Sequence, residues 1–327
     1  MAFHMSRGQK VLWWLLLAFG VVLAILAGTA LWAYQKLDGN IRTDHAAARE
    51  LNDRAAQRPA PATGEARNIM LIGEDWGSGT GNARSDAVLL LHLSGDGQRA
   101  EVVGLPRDLI VDIPSCHTPD GRTTEAARAQ FNWAFQWGGA ACTIRTFEDL
   151  SGIRVDHHLV VGFEGFAELV DAVGGVPVTL EHDEDDPNVG HHLSAGRHLL
   201  NGEQALAYVR ARVYVGDGSD LNRMSRQQDF LRRLYDRIVD RGTFTHPSRL
   251  YAVLSAATSA LTADPGLDSL GELRELAEDL RAVPESGISF HTLPTLPHPT
   301  RENRLTLDEP AADAFLAALR ADRPLPE

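Results

Sequence analysis

The chain has 327 residues; 44% are hydrophobic and 23% are charged, which is the composition of a protein that folds rather than of a low-complexity chain. This length suffices for one large domain with accessory segments. The formal net charge of −13 at pH 7 argues against a protein that holds nucleic acid through a general basic field. A local cluster of arginines in so acidic a chain is therefore informative, because it indicates a site for an anionic ligand or partner.

The first predicted element is the uncharged apolar segment from Val11 to Tyr34. As a helix it would extend ~36 Å, enough to cross the ~30 Å hydrocarbon layer of a membrane. Arg7 and Lys10 precede it, which favours an amino terminus inside the cell. We predict a cytoplasmic tail (residues 1–10), a single membrane-spanning helix (11–34) and export of all that follows. A signal peptide cleaved near Gly28-Thr29-Ala30 is the alternative, and it exports the same residues.

The next segment, residues 35–67, is polar and Ala-rich and ends in a stretch of proline and alanine. This composition indicates a partly helical stalk followed by a flexible linker. An extracytoplasmic globular domain is then predicted from residue 68 to residue 327, with accessory helices towards its carboxyl end.

Short apolar runs predict the strands of this domain: Asn68–Gly73, Ala87–Leu93, Glu101–Leu105, His158–Val161, Val176–Leu180 and, near the end, Gly287–Leu293. Helices are predicted between and after them: Thr124–Trp137, Thr143–Leu150, Gly165–Val173, Gly202–Tyr208, Asn222–Arg241, two more within residues 246–283, and one after Pro310. Strands this apolar are usually covered on both faces. The alternation predicts an α/β fold, an α–β–α sandwich around a central mixed sheet.

The two cysteines, Cys116 and Cys142, both fall in the exported part of the chain. Outside the cytoplasm such a pair is expected to oxidise, which would stabilise the fold by ~3 kcal/mol. We predict a disulfide; two buried thiols are the alternative. A zinc site is disfavoured because neither cysteine belongs to a C-x-x-C spacing.

Four polar clusters lie at the ends of apolar elements, where open α/β sheets place their ligands. They are Asp75, Arg84-Ser85-Asp86, Arg107-Asp108, and Arg210-x-Arg212 leading to Arg223, Arg226 and Gln227. Carboxylates suit Mg²⁺, and the planar arginine fork suits phosphate oxygens, so together they fit a metal-bound diphosphate. A buried structural network of ion pairs uses the same residue types, and spacing alone does not decide between the two.

Several longer motifs resemble the LytR-CpsA-Psr family and occur in the family's order across residues 68–234. They are Asn68–Asp75, Arg84–Leu89, Leu105–Asp108, Val155–Val161, Phe163–Phe166, Leu169–Val176, Ala205–Arg212 and Arg223–Gln228. The resemblance implies a membrane-anchored α–β–α catalytic domain that acts on polymers linked to a lipid diphosphate. The run Gln130-Phe131-Asn132-Trp133 departs from the family pattern, so a basic contact is expected to be missing there.

The resemblance also implies roles for individual residues. Asp75 and Asp86 match the aspartates associated with Mg²⁺. The diphosphate-binding positions are matched by Arg84, Arg107, Arg210, Arg212, Arg223 and Gln227. Beyond the resemblance, we hypothesise that Asp86 or Asp108 accepts a proton in the reaction, and that Phe163 and Phe166, or the helix from Asn222, line an apolar slot for the lipid tail.

These roles predict a magnesium-dependent phosphotransferase. It would move a phosphate-linked glycopolymer from a polyprenyl-diphosphate carrier to a peptidoglycan hydroxyl and form a phosphodiester. No covalent protein nucleophile is required, because positioning and electrostatics carry phosphoryl transfer. Two alternatives use the same residues: a regulator that binds lipid diphosphates without turnover, and a hydrolase that uses water as the acceptor.

Overall fold

The computed structural model describes residues 7–62, 64–75, 84–118, 121–187, 189–211, 220–239 and 245–326. Within these residues the helices, in chain order, are α1 (Arg7–Asp38), α2 (His45–Asp53), α3 (Trp133–Ser151), α4 (Phe163–Ala172), α5 (Gly202–Arg210), α6 (Asp220–Val239), α7 (Pro247–Ala260), α8 (Leu270–Ala282) and α9 (Glu309–Arg320).

The strands of the described part are β1 (Arg42–Thr43), β2 (Arg67–Asp75), β3 (Arg84–Leu93), β4 (Ala100–Leu105), β5 (Ile110–Ile113), β6 (Ala127–Gln130), β7 (His157–Gly162), β8 (Val176–Leu180), β9 (Glu184–Asp186), β10 (His191–Leu193), β11 (Gly196–Leu200), β12 (Leu261–Ala263), β13 (Ile288–Thr292), β14 (Thr295–Pro297) and β15 (Leu305–Leu307).

Seven of these strands form the central sheet, in the order β1-β12-β7-β2-β3-β4-β13. β2 runs parallel to β7 and antiparallel to β3, while β4 runs antiparallel to β3 and parallel to β13. β12 is antiparallel to β7 and parallel to β1. The sheet is therefore mixed, and the predicted α/β class with helices on both faces is confirmed.

The alternation of side chains along β2 and β3 supplies apolar groups to both faces of the sheet. Met70 and Ile72 on β2, together with Leu90 on β3, pack in the core beneath α2, α3 and α9. Ile69 and Leu91 point the other way, into a core shared with α8. A further core joins α4, α5, α6 and α7 to the antiparallel pair formed by β8 and β11.

The amino-terminal helix α1 contains a segment, Trp13–Asp38, whose length and apolar composition suffice to cross a membrane. Its last turns pack on the domain: the rings of Trp32 and Tyr251 on α7 are stacked with centroids 6.2 Å apart. Asn40, just beyond the helix, donates a side-chain hydrogen bond to Thr258 on α7 at 3.3 Å. The helix is thus joined directly to the globular part.

The structure differs here from the predicted stalk and flexible linker. Residues 42–43 form β1 in the central sheet, and α2 buries Ala47 and Leu51 against the core. Arg58 forms a buried ion pair with Glu148 on α3, with 2.7 Å between Nη2 and Oε1. The sequence pattern understated this segment because the helix has only nine residues, is polar on average, and buries only two apolar side chains, Ala47 and Leu51.

The helix predicted over Thr124–Trp137 is wrong in its first half. Residues 127–130 form β6, which pairs with β5 in an antiparallel hairpin, and the helix begins only at Trp133. The alanines of this run favour a helix locally, but propensity is a weak prior that strand pairing overrides. The predicted disulfide between Cys116 and Cys142 is confirmed, with Cα atoms 5.6 Å apart.

Candidate active site

Three of the predicted polar residues lie on neighbouring strands at one edge of the sheet. β2 ends at Asp75, which is paired with Arg84, the first residue of β3. The register shifts between Gly73 and Glu74, which leaves Asp86 as the extra residue of a β-bulge. We call the edge at which β2 and β4 end and β3 begins the site edge. Bulges re-aim side chains and are frequent beside active sites, so this geometry suits a binding role.

Only the backbones of Asp75, Arg84, Asp86 and Arg223 belong to the described residues, and Arg212 lies outside them. Their side-chain roles stay predictions. Within the described ranges, no group of three or more His, Cys, Asp and Glu side chains is arranged to hold a metal ion. The backbone register still brings Asp75 and Asp86 to adjacent strands within two residues of each other. Two aspartates so placed are compatible with Mg²⁺, which needs few protein carboxylates.

Arg107 and Asp108 follow β4 at the same edge. Asp108 is buried and accepts a hydrogen bond from the amide of Gln130 on β6. Arg107 Nε lies 3.7 Å from the Asp108 carboxylate, and Arg304 Nη1 lies 3.8 Å from it on another side. Because Gln130 and Arg304 hold it, Asp108 is well suited to orient Arg107.

Arg210 ends α5, and its guanidinium lies over the ring of Phe163, 5.2 Å from the ring centroid. Such a cation–π contact orients the guanidinium. The turn that presents Arg210 is anchored from α6, where the amide of Gln227 donates to the carbonyl of Val209 at 3.0 Å. Gln227 therefore positions the end of α5.

Arg210 lines a cavity of about 200 Å³ on the α4, α5 and α6 side of the sheet. We call it the apolar cavity. Its apolar lining residues are Leu71, Ile72, Gly73, Ala87, Leu89, Val161, Phe163, Phe166, Leu206, Val209, Phe230 and Leu231. Among the described lining residues only Arg210, Gln227 and Gln228 are polar. Two regions were predicted to line an apolar slot: Phe163 with Phe166, and the helix beginning near Asn222. Both contribute to this one cavity.

Gln228 was not singled out from the sequence, although it adjoins Gln227 in the same motif. Its Nε2 atom is buried and has no hydrogen-bond partner among the described residues. The hydroxyl of Ser85, on β3 at the site edge, is likewise buried without a partner in the described part. Buried donors left without partners are costly, so each is ready to bind an anionic ligand.

Arg226 has a structural role in this geometry. It pairs with Glu184 on β9 at 3.2 Å, donates to the carbonyl of Ala211, and lies over the Tyr208 ring at 4.9 Å. Burial lowers the pKa of Arg226, although the charge of Glu184 opposes the shift. Burial also raises the pKa of Tyr208. These contacts fasten α6 to α5 and to the β9–β10 hairpin.

Close helix contacts explain why α4 forms a firm wall of the apolar cavity. A Cβ atom on Gly165 would come 2.5 Å from the Cα of Ala260 on α7. One on Gly202 would come 2.2 Å from the carbonyl oxygen of Ala167 on α4. Glycine at both positions lets α5 and α7 approach α4 at backbone distance.

The family assignment rests on a match across nearly the whole chain. A family model described as the LytR_cpsA_psr family matches residues 34–321. The chain belongs to the LytR-CpsA-Psr family. The match begins within α1 and includes α2 and β1, which agrees with their packing into the domain. The resemblance stated from the sequence motifs is confirmed.

Among its relatives is the cell wall biosynthesis protein LcpA of Corynebacterium glutamicum, 31% identical over 272 residues. The alignment covers 75% of this chain and 51% of LcpA, so the chain spans about half the length of that relative. A teichoic acid transferase, TagU of Bacillus cereus, is 28% identical, with 68% of this chain and 69% of TagU covered. The solved LytR-Csp2A-Psr enzyme from Actinomyces oris has a TM-score of 0.61 at 22% identity, covering 80% of this chain and 93% of that one, and supports the fold.

The contact partner that sequence reasoning missed entirely is Arg304. It lies in the loop before β15, outside the recognised motifs, and reaches Asp108 only through the fold. No local pattern marks it. Gln130 carried a signal, because it stands in a run that departs from the family pattern, and it is the residue that binds Asp108.

Proposed function

We propose that this chain is a phosphotransferase that moves a phosphate-linked glycopolymer from a polyprenyl-diphosphate carrier to a hydroxyl of peptidoglycan. The observation that carries the proposal is the apolar cavity, which has Arg210 and Gln228 in its lining and adjoins the site edge. This cavity combines apolar walls with a few polar groups, and a lipid diphosphate likewise combines a long hydrocarbon chain with a compact anionic group. Arg107, presented by Asp108 at this edge, adds a further cation for the phosphates.

The junction with α1 supports a substrate that is held in a membrane. Arg42 on β1 pairs with Thr262 on β12, and Thr262 pairs with Val160 on β7. Val160 in turn pairs with Ile72 on β2, three residues before β2 ends at Asp75. The end of α1 therefore arrives at the site edge of the sheet. In our proposal α1 crosses the membrane with the amino terminus inside, and the site edge faces the outer membrane surface where the carrier lipid lies.

In the proposed reaction, the oxygen of a sugar hydroxyl forms a bond to the phosphorus nearest the glycan. The bond from that phosphorus to the bridging oxygen breaks, and polyprenyl phosphate leaves with this oxygen. The hydroxyl proton passes to an aspartate carboxylate, Asp86 or Asp108. The contacts of Asp108 with Gln130 and Arg304 favour its use in holding Arg107. Arg84, Arg107, Arg210, Arg212 and Arg223 neutralise the diphosphate charge as the bond breaks.

Asp75 and Asp86 would hold Mg²⁺, which supplies positive charge to the diphosphate oxygens when bound. The name of TagU describes transfer of teichoic acid from a polyisoprenyl carrier to peptidoglycan, and LcpA is named for cell wall biosynthesis. The name of TagU supports this class of reaction for the chain, and the name of LcpA supports a role in building the cell wall.

The test is transfer by the full-length chain in detergent, with a defined polyprenyl-diphosphate sugar as donor and peptidoglycan fragments as acceptor. Arg210→Ala removes charge-assisted hydrogen bonds of ~1.5–3 kcal/mol, so the rate should fall at least about tenfold. Arg210→Lys should restore little, because an ammonium lacks the planar fork. Asp75→Ala should weaken the dependence of the rate on Mg²⁺. Gln228→Leu should weaken donor binding, since its amide would no longer meet the phosphates.

Arg274→Ala is the matched control, because Arg274 is exposed on α8 and, within the described part of the chain, forms an ion pair with Glu278 one turn away. It should transfer like the parent. Folded Arg210→Ala and Asp75→Ala proteins that both transfer at the parent rate would overturn the assignment. Release of polyprenyl phosphate without a glycan on the acceptor would identify a hydrolase instead.

A further inference from the structure

A second cavity, of about 780 Å³, lies on the opposite face of the sheet from the apolar cavity. Its walls are α2 and the first half of α3, and its floor includes Val160 and Thr262 from β7 and β12. We call it the α2–α3 groove. Its polar lining includes Arg42, Arg49, Asp53, Arg54, Glu74 and His117. This size is in the range of sites that hold small ligands.

The groove and the apolar cavity meet at the end of β2. Gly73 lines the apolar cavity, and the next residue, Glu74, lines the groove. Successive residues of a strand point to opposite faces, and their Cα atoms are only ~3.8 Å apart. The two cavities are thus separated at this point by the thickness of the sheet, and both have lining residues beside the site edge, where the diphosphate is proposed to bind.

The groove has a lining of both charge signs. Arg42, Arg49 and Asp53 are exposed in it. Glu50 is held in place by Arg145 on α3, at 3.1 Å, and by His117, at 3.4 Å. Cations and anions on one fixed wall suit a ligand that itself carries carboxylates, amines and hydroxyls, and they do not favour a polyanion.

The α3 side of the groove is bare and partly apolar. Gly138 and Gly139 interrupt the helix there, and Phe135 and Ala141 lie beside them in the lining. A Cβ atom on Gly139 would meet nothing within 4 Å, so the backbone there borders open space. The wall is held by the Cys116–Cys142 disulfide, whose Cβ atoms lie within 3 Å of the position a Gly138 Cβ would take. Such a surface admits the flat face of a sugar ring.

The direction of phosphoryl transfer decides which ligand belongs in the groove. The attacking and leaving oxygens lie roughly in line on opposite sides of the phosphorus. If the leaving polyprenyl phosphate extends from the apolar cavity, the attacking hydroxyl must approach from the other face of the sheet. The α2–α3 groove opens on that face, beside Glu74.

We infer that the α2–α3 groove binds the acceptor, a peptidoglycan fragment that combines sugar hydroxyls with the charged groups of its peptide stem. This inference rests on the proposed function for the identity of the acceptor. It separates the two substrates by chemistry: the hydrocarbon of the donor lies on one face of the sheet, and the amphoteric glycan lies on the other.

The test uses Ala46→Trp in the full-length chain in detergent. Ala46 lines the groove and is exposed on α2, so an indole there fills the groove without entering the core. Asn52→Trp is the matched control, because Asn52 is exposed on the same helix and is not part of the groove lining. Binding of an uncross-linked peptidoglycan fragment and of a short polyprenyl diphosphate is measured separately by titration.

We expect Ala46→Trp to weaken binding of the peptidoglycan fragment at least about tenfold and to leave polyprenyl-diphosphate binding unchanged. Asn52→Trp should match the parent in both. The inference is overturned if the parent does not bind the fragment, or if Ala46→Trp binds it as tightly as the parent. If fragment binding depends on Ala46 but no glycan is transferred, the proposed reaction fails while the groove assignment stands.

Discussion

The apolar cavity and the α2–α3 groove have walls that are stabilised by different interactions. Helices α4, α5 and α6 close the apolar cavity through ring contacts, such as Phe166 with Phe230 at 5.7 Å between centroids, and through close approach at glycine. The groove wall depends on polar and covalent links. They include the ion pairs Arg145–Glu50 and Arg58–Glu148 and the Cys116–Cys142 disulfide.

The size of α2 accounts for this difference. It has nine residues and buries only Ala47 and Leu51, so its own apolar contact is small. Short helices owe most of their stability to tertiary packing, and α2 has little of it. Glu50 on α2 pairs with Arg145 on α3, and Arg58, which follows α2, pairs with Glu148 on α3, so these two ion pairs attach the segment to α3. The groove wall should therefore be sensitive to loss of single charges, and the cavity wall to changes of volume.

The largest expected effect is on the groove side, from Arg58→Ala. The Arg58 and Glu148 side chains are 8% and 2% exposed, and Arg58 also donates to the carbonyl of Val155 at 2.6 Å. Removing the arginine leaves a buried carboxylate without its counter-charge, which costs about 3–5 kcal/mol of unfolding free energy. Urea unfolding of the full-length chain in detergent, followed by circular dichroism, measures the change.

The control for this prediction is Arg274→Ala, which breaks the exposed Arg274–Glu278 pair on α8. Its unfolding midpoint should equal that of the parent, because exposed pairs contribute little. An Arg58→Ala protein as stable as the parent would contradict the view that buried charge holds this wall.

A smaller effect is expected on the cavity side, from Gly202→Ala. The added Cβ would come 2.2 Å from the Ala167 carbonyl oxygen, so α5 must shift away from α4. Overpacking of this kind costs about 1–3 kcal/mol. Because α5 ends at Arg210, binding of a short polyprenyl diphosphate should weaken, whereas binding of a peptidoglycan fragment should not.

Gly271→Ala, on α8, is the matched substitution. Its Cβ would meet only Ser269 Oγ, at the ordinary distance of 3.7 Å, so the protein should be as stable as the parent or slightly more so. If the Gly202→Ala protein were as stable as the Gly271→Ala protein and bound the polyprenyl diphosphate as tightly, the close packing of α5 on α4 would not determine the shape of the apolar cavity.

The smallest effect concerns the other end of the sheet, where β7 begins. His157 Nδ1 lies 3.0 Å from the Asp264 carboxylate, and that hydrogen bond raises the pKa of His157 although burial opposes it. Burial alone would raise the pKa of Asp264, but hydrogen bonds from His157 and from the backbone of His158 lower it.

The sign of the pH dependence follows from these directions. The His157 contribution is complete below its unfolded pKa of ~6.5 and is lost as the pH rises through the higher folded value. The Asp264 contribution is present above ~3.9 and lost as the pH falls through its lowered folded pKa. Unfolding free energy should therefore decline by less than ~1 kcal/mol from pH 6 into the alkaline range. His157→Gln should remove this decline, and an unchanged slope would exclude the pair as its source.

Much of the fold could be predicted from the chain because its strands are short apolar runs that end at polar residues. Val176–Leu180 is a strand with the predicted bounds, and the other predicted strands differ only at their ends. Several short strands were missed, among them β9 and β10. The residues of these two carry charges and histidines, and they become strands through pairing in a hairpin rather than through a buried apolar pattern.

The sequence by itself determined which chemical groups stand at the strand ends, that a long apolar helix precedes the domain, and that Cys116 and Cys142 pair. The first two features are local, and the two cysteines can pair within the chain only with each other. Only the tertiary structure decided that Arg304 reaches Asp108, that Gln227 holds the end of α5 while Gln228 keeps a buried donor, and that residues 42–54 form a groove wall. Each of these depends on segments far apart in the chain, brought together by burial of the sheet between its helices, which local sequence patterns do not encode.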